Sequence, residues 1–144
     1  CNLFVAGFIG SPQMNFVDAV CEVEGNDVYL VAGPSRIKLS AEKAKKLIDG
    51  GYDGKTVVMG IRPEDVYDDE ETVAANPDTV IESTVRVYEL LGAEVYLYFD
   101  YAGANFTARV KPNTTARTGD QIKVALEPSK IHVFDKETEM TITN

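Results

Sequence analysis

Residues 94–111 constrain the fold most. Val95, Leu97 and Phe99 alternate with more polar neighbours, Ala102-Gly103-Ala104 interrupts, and Phe106, Ala108 and Val110 resume the alternation. Successive side chains on a strand point to opposite faces, so this pattern spells a hairpin, Glu94 to Tyr101 and Asn105 to Lys111, with one face towards a core. The same texture recurs along the chain. Phe16 to Glu24 reads as a strand, Gly25-Asn26-Asp27 as a turn, and Val28 to Ala32, Ile37 to Leu39 and Thr56 to Ile61 as further strands. Val80 to Leu91 is a long strand with Val85, Val87 and Glu89 on one face, and Gln121 to Leu126, Ile131 to Phe134 and Met140 to Ile142 follow. Short alternating segments between turn residues predict an all-β sandwich or barrel. One helix is expected near residues 41–48: Ser40 caps Ala41 to Ile48 and Gly50-Gly51 ends it. Ala44, Leu47 and Ile48 share its inner face, while Lys43, Lys45 and Lys46 point to water. The acidic stretch Tyr67 to Asp78, which carries Pro77, reads as a loop.

The chain also echoes itself. Gly54-Lys55-Thr56-Val57-Val58-Met59-Gly60-Ile61-Arg62-Pro63-Glu64-Asp65-Val66 aligns without gaps on Gly119-Asp120-Gln121-Ile122-Lys123-Val124-Ala125-Leu126-Glu127-Pro128-Ser129-Lys130-Ile131, at a constant offset of 65. Turn glycine, alternating strand, proline turn and apolar re-entry recur in order, which implies two related β halves.

At 144 residues the chain buries a core without staples, and 44% hydrophobic with 26% charged residues is the make-up of a globular domain. A net charge of −9 argues against nucleic-acid binding, which draws on a basic surface, and against docking on an anionic membrane. No stretch is long and apolar enough to span a bilayer, so contact with a membrane is expected only through a partner. Cys1 and Cys21 form no CxxC and read as a reduced pair.

Several motifs fail on their context. Asp49-Gly50-Gly51-Tyr52-Asp53-Gly54-Lys55-Thr56 resembles a phosphate-binding P-loop with aspartate in place of the first glycine. A helix precedes it and a strand follows, the reverse of the order that aims a helix N-terminus at phosphate. His132, the sole histidine, has no nucleophile partner in pattern. Asp68-Asp69-Glu70-Glu71 lacks the spaced ligands of a calcium loop, so no metal site is expected. Arg62-Pro63-Glu64-Asp65 sets a cation beside two carboxylates at a rigid turn, suited to fixing the turn or meeting another chain. Glu89 and Glu94 flank Gly92, and Glu89, placed beside Val85 and Val87, calls for a partner.

The amino terminus adds a resemblance. Phe4-Val5-Ala6-Gly7-Phe8-Ile9-Gly10-Ser11-Pro12, followed by Met14-Asn15-Phe16, resembles the junction in ATP-binding subunits of carbohydrate ABC importers of the maltose, multiple-sugar and glycerol-phosphate type. The likeness continues through Gly60-Ile61-Arg62-Pro63-Glu64-Asp65, Glu89-Leu90-Leu91-Gly92-Ala93-Glu94 and Ile131-His132-Val133-Phe134-Asp135. It implies OB-like and TOBE barrel elements, with 1–12 as the tail and linker of a missing nucleotide-binding domain and 13–144 as a regulatory domain. It implies no catalysis in this chain, with ATP and magnesium bound by the missing domain. It further implies a homodimer, membrane subunits reached through that domain, a regulatory protein as possible partner, and a cytoplasmic place at the inner face of the membrane. Gly119 and Phe134 are interface candidates on the family pattern; Arg62, Glu64, Asp65, Glu89, Gly92 and Glu94 join them on chemical grounds. The alternative is a TOBE-like module binding an oxyanion or sugar, with hydroxyls from Ser83, Thr84, Thr114 and Thr115.

Overall fold

The structure is a computed structural model and describes residues 13–143. The segment read as the tail of a preceding domain and its linker, 1–12, lies outside the described residues. Eleven strands form among the rest: β1 (Asn15–Glu24), β2 (Asp27–Ala32), β3 (Ser35–Lys38), β4 (Thr56–Ile61), β5 (Val66–Tyr67), β6 (Val80–Leu91), β7 (Glu94–Tyr101), β8 (Ala104–Val110), β9 (Gln121–Leu126), β10 (His132–Asp135) and β11 (Thr141–Thr143). A six-stranded sheet runs β11-β10-β4-β1-β2-β3 and a five-stranded sheet runs β5-β9-β6-β7-β8. The all-β expectation holds, and so does the alternation that produced it. Val95, Leu97, Phe99, Phe106, Ala108 and Val110 are buried against Leu30, Ile61, Val85 and Leu126 from the remaining strands.

The internal echo is built into the topology. β4 and a 3-10 turn over Pro63–Asp65 recur, residue for residue at the offset of 65, as β9 and a 3-10 turn over Pro128–Lys130. Each turn carries the chain into the other sheet: β5 leaves the first half to pair with β9, and β10 leaves the second half to pair with β4. Even the register repeats, since Gly60 opposes His132 and its counterpart Ala125 opposes Tyr67. Proline suits both crossovers because it fixes φ at the first position of the turn and forgoes a donor that a ladder would need.

Three expectations need correcting. The stretch 67–78 is not all loop: after β5 it forms a short helix, α2 (Glu70–Ala75), and a 3-10 turn over Pro77–Thr79. In the helix α1 (Ala41–Asp49), Ala44 and Leu47 are buried, but Lys43 is buried too while Ile48 is partly exposed. Lys43 Nζ donates to Thr143 Oγ1 at 3.3 Å, because the helix lies across β11 and its inner arc is shifted by a residue. Burial pushes the Lys43 ammonium below its ordinary pKa. On β6 the pairing with β7 slips between Val85 and Val87. This bulge turns Val87 and Glu89 outward, so Val85 alone of the three is buried.

Candidate interaction surfaces

The eight residues singled out in the sequence fall in three places. The first is the crossover turn. Pro63 is buried, Asp65 N donates to Arg62 O at 2.9 Å, and Glu127 N of the second crossover donates to Asp65 O at 3.0 Å. The two turns therefore stand back to back, Asp65 near Lys130 and Arg62. Burial raises the Asp65 carboxyl above the usual carboxylate range, with Glu64 adding to the rise and Lys130 and Arg62 opposing it. His132, across from Gly60, is pushed down by burial and by Arg62, Lys43 and Lys130. Arg62 takes part in none of the ion pairs formed within 4 Å among the described residues. Glu64 faces the other way, into a cleft of about 460 Å³ that it lines together with Tyr67, Glu94, Arg109 and Lys111. Burial, and after it the surrounding Asp65, Glu127, Asp69 and Glu64, raise the Tyr67 phenol above its ordinary range.

The second place is the β6–β7 hairpin. Gly92 takes φ +61° at the first position of a two-residue turn, where a side chain is disfavoured. Glu94 lies within 3.9 Å of Arg109 Nε on β8. Glu89 is exposed and accepts a hydrogen bond from Tyr98 Oη at 2.9 Å. Gly119, with φ +91°, donates from its N–H to Val85 O at 2.8 Å and so pins the bulge from the β9 side. An added Cβ at Gly119 meets nothing within 4 Å, so only its backbone conformation calls for glycine.

Phe134 occupies the third place, on the outer face of the six-stranded sheet. It is only 2% exposed, packed with Met14 and Val58 and meeting Phe16 edge-on at 5.9 Å. Gly60 forms the floor of this cluster, for a Cβ there would approach Met14 Sδ to 2.8 Å and Phe134 to 3.0 Å. Phe16 and His132, half-buried beside it, are what the cluster shows to the outside.

One residue with no sequence signal joins the sheets. Asn15 is buried; its Nδ2 donates to Thr107 O and its Oδ1 accepts from Thr107 N, both at 2.8 Å. The side chain thus acts as a one-residue strand against the outer edge of β8. Among the described residues no helix is long and apolar enough to cross a membrane, and no three His, Cys, Asp or Glu side chains cluster to hold a metal.

Two sheets that trade strands through matched proline turns define a paired OB-like β domain, and known sequences carry the same pattern. Residues 10–66 match a family model described as the MalK OB fold domain, and residues 59–134 match the TOBE domain. The chain belongs to the TOBE domain family. It is similar over 141 residues, at 38% identity, to the oligosaccharides import ATP-binding protein MsmX of Bacillus subtilis; the match covers 98% of this chain and 38% of that protein. At 37% identity over 142 residues it is similar to the trehalose/maltose import ATP-binding protein MalK of Thermococcus litoralis, covering 98% and 37% respectively. The chain therefore spans a little over a third of the length of these relatives. Among solved structures it resembles the cytoplasmic molybdate-binding protein ModG crystallised with molybdate, at a TM-score of 0.60 and 14% identity, covering 88% of this chain and 97% of that one. That likeness is one of fold.

Proposed function

We propose that this chain is the regulatory and dimerisation domain of the ATP-binding subunit of a sugar ABC importer. It tethers two such subunits through the transport cycle and offers a docking surface to a regulator. The observation that carries this reading is the match to sugar-import ATP-binding proteins over 98% of the chain at 37–38% identity. A tether raises the effective concentration of two ATPase halves without chemistry of its own, and a regulator preferring one dimer geometry shifts their equilibrium. ATP and magnesium are then bound outside this chain, and the membrane subunits are reached through the ATPase domain at the inner face of the membrane.

An immunoblot of the source cells with an antibody raised against this chain tests the reading. A band far above 15.8 kDa is expected, and one at 15.8 kDa overturns it. The likeness to ModG supports a second reading, oxyanion binding. Against it, the cleft of about 730 Å³ that Thr114 and Thr115 line also holds Asp68, Asp69, Glu70 and Asp120 against Lys123 alone, a balance that repels anions. Two of the hydroxyls that would serve it are already engaged: Ser83 donates to Asp100 O and Thr114 to Asp68. Calorimetry with molybdate is expected to show no heat; micromolar binding would favour the second reading.

A further inference from the structure

The outer face of the five-stranded sheet sets aromatic, apolar and charged side chains side by side, with Val87, Glu89 and Leu91 exposed and Tyr96 and Tyr98 half-buried. Cross-strand register sets it out in rows. Glu89 on β6 opposes Tyr96 on β7, which opposes Arg109 on β8; in the next row Val87 opposes Tyr98, which opposes Thr107. Side chains paired in this way share a face. The two tyrosine rings lie 6.4 Å apart and are half-buried, while Val87 and Leu91 beside them are 44% and 50% exposed. Tyrosine is a residue that interfaces favour, and here it lies beside exposed apolar side chains. The charges here nearly cancel, Arg86 and Arg109 against Glu89, Glu94 and Asp100, although the whole chain carries −9. A second copy therefore meets little repulsion at this face.

The rows also fix how two copies fit. A two-fold axis running along β7 returns each row onto itself in reverse. Glu89 of one copy then faces the partner's Arg109, Arg109 faces the partner's Glu89, and Tyr96 meets its own counterpart. That is the self-complementarity an isologous contact needs. Arg109 is available for it, since its own ion pair, with Glu94, is long at 3.9 Å and half in solvent.

We infer that the outer face of β6-β7-β8 is a self-association surface, with Glu89 and Arg109 of two copies paired reciprocally across Tyr96. The inference rests on the dimerisation reading above and names its surface. Sedimentation equilibrium of the chain and of Glu89→Arg, Arg109→Glu and the double exchange tests it, with circular dichroism confirming the fold of each. Either single reversal sets two like-charged pairs in the contact, so the dimer dissociation constant should rise at least about 100-fold. The double exchange restores opposite charges and should recover most of the loss. A dimer indifferent to all three substitutions overturns the surface and leaves dimerisation standing. Loss in both singles without recovery in the double overturns the reciprocal pairing. A parent chain that stays monomeric at the highest concentration reached overturns the dimerisation reading and the surface with it.

Discussion

Asn15 offers the sharpest test of how the two sheets are held together. Its amide makes two hydrogen bonds to the main chain of Thr107, 92 residues away, and the side chain is buried. Asn15→Ala removes both bonds, each worth about 1 kcal/mol net, and strands a backbone donor and acceptor at a half-buried strand edge. With water reaching part of that edge, the expected loss is about 2–4 kcal/mol, a large share of a domain's stability. Urea unfolding should show a lower midpoint at an unchanged slope. Amide exchange should lose protection specifically at Thr107, whose N–H has no strand partner on that side. Asn15→Asp sharpens the test, because it keeps the shape and the acceptor but removes the donor when ionised. Facing Thr107 O, its carboxyl is raised in the folded state. The folded protein then holds a proton the unfolded chain releases, so the deficit against the parent grows as pH rises through the carboxylate range and shrinks in acid. A loss under about 0.5 kcal/mol for Asn15→Ala, or unchanged exchange at Thr107, refutes the latch.

Three further outcomes are expected. Phe134→Ala empties the outer cluster beneath Phe16 and Met14 and should cost about 3–5 kcal/mol by thermal or chemical unfolding, with any effect on a partner following from Phe16 losing its support. Ala102, at φ +50° beside Gly103 at +83° in the β7–β8 turn, holds a conformation that suits glycine or asparagine; Ala102→Gly should raise the denaturation midpoint by about 0.5–1 kcal/mol equivalent. Burial raises the Cys21 thiol from 9.0 to about 11, with Asp53 adding to the rise. Its contribution is whole below pH 9 and is lost as pH climbs towards 11, at most about 3 kcal/mol, so urea midpoints should fall over that range and fall less in Cys21→Ala.

What the sequence reveals of this fold follows from which forces act locally. Alternation reports the face of a strand directly, which is why the hairpin around Gly103 and the buried set from Val95 to Val110 are legible. The echo is legible as well, because glycine and proline mark the ends of the same unit twice. The bulge at Val85–Val87 is not, for it depends on where β9 stops and β7 begins, and a slip of one residue moves Val87 and Glu89 to the other face. Nor is α2, whose six residues bury nothing and so show no apolar period, although Asp69 capping Thr72 N is a local signal that was there to find. Lys43 misleads because its aliphatic stem packs like an apolar chain while its name says charge. Among the site residues, Glu64 and Glu94 meet in one cleft 30 residues apart in sequence. Arg109, Tyr96 and Tyr98 escape notice because they occupy the polar phase of an alternation read for its apolar phase.

The reciprocal exchange of strands makes a last prediction about how the domain folds. Opening the chain between Ala75 and Asn76 divides it at a helix with no buried residue, into one fragment ending past β5 and another beginning before β6. Neither fragment owns a complete sheet. The first lacks β10 and β11, so β4, nearly all buried, becomes an open edge. The second lacks β5, which leaves β9 without its outer partner, and lacks Asn15, which closes the edge of β8. Each half is stable only by lending the other a strand, and an exposed apolar edge favours aggregation over folding. Separately, the fragments should show no cooperative unfolding; mixed, they should recover the circular dichroism and the single transition of the intact chain. If the fragment beginning at Asn76 unfolds cooperatively by itself, the halves are independent barrels, and the crossovers at Pro63 and Pro128 are connections rather than the bond that makes the domain one unit.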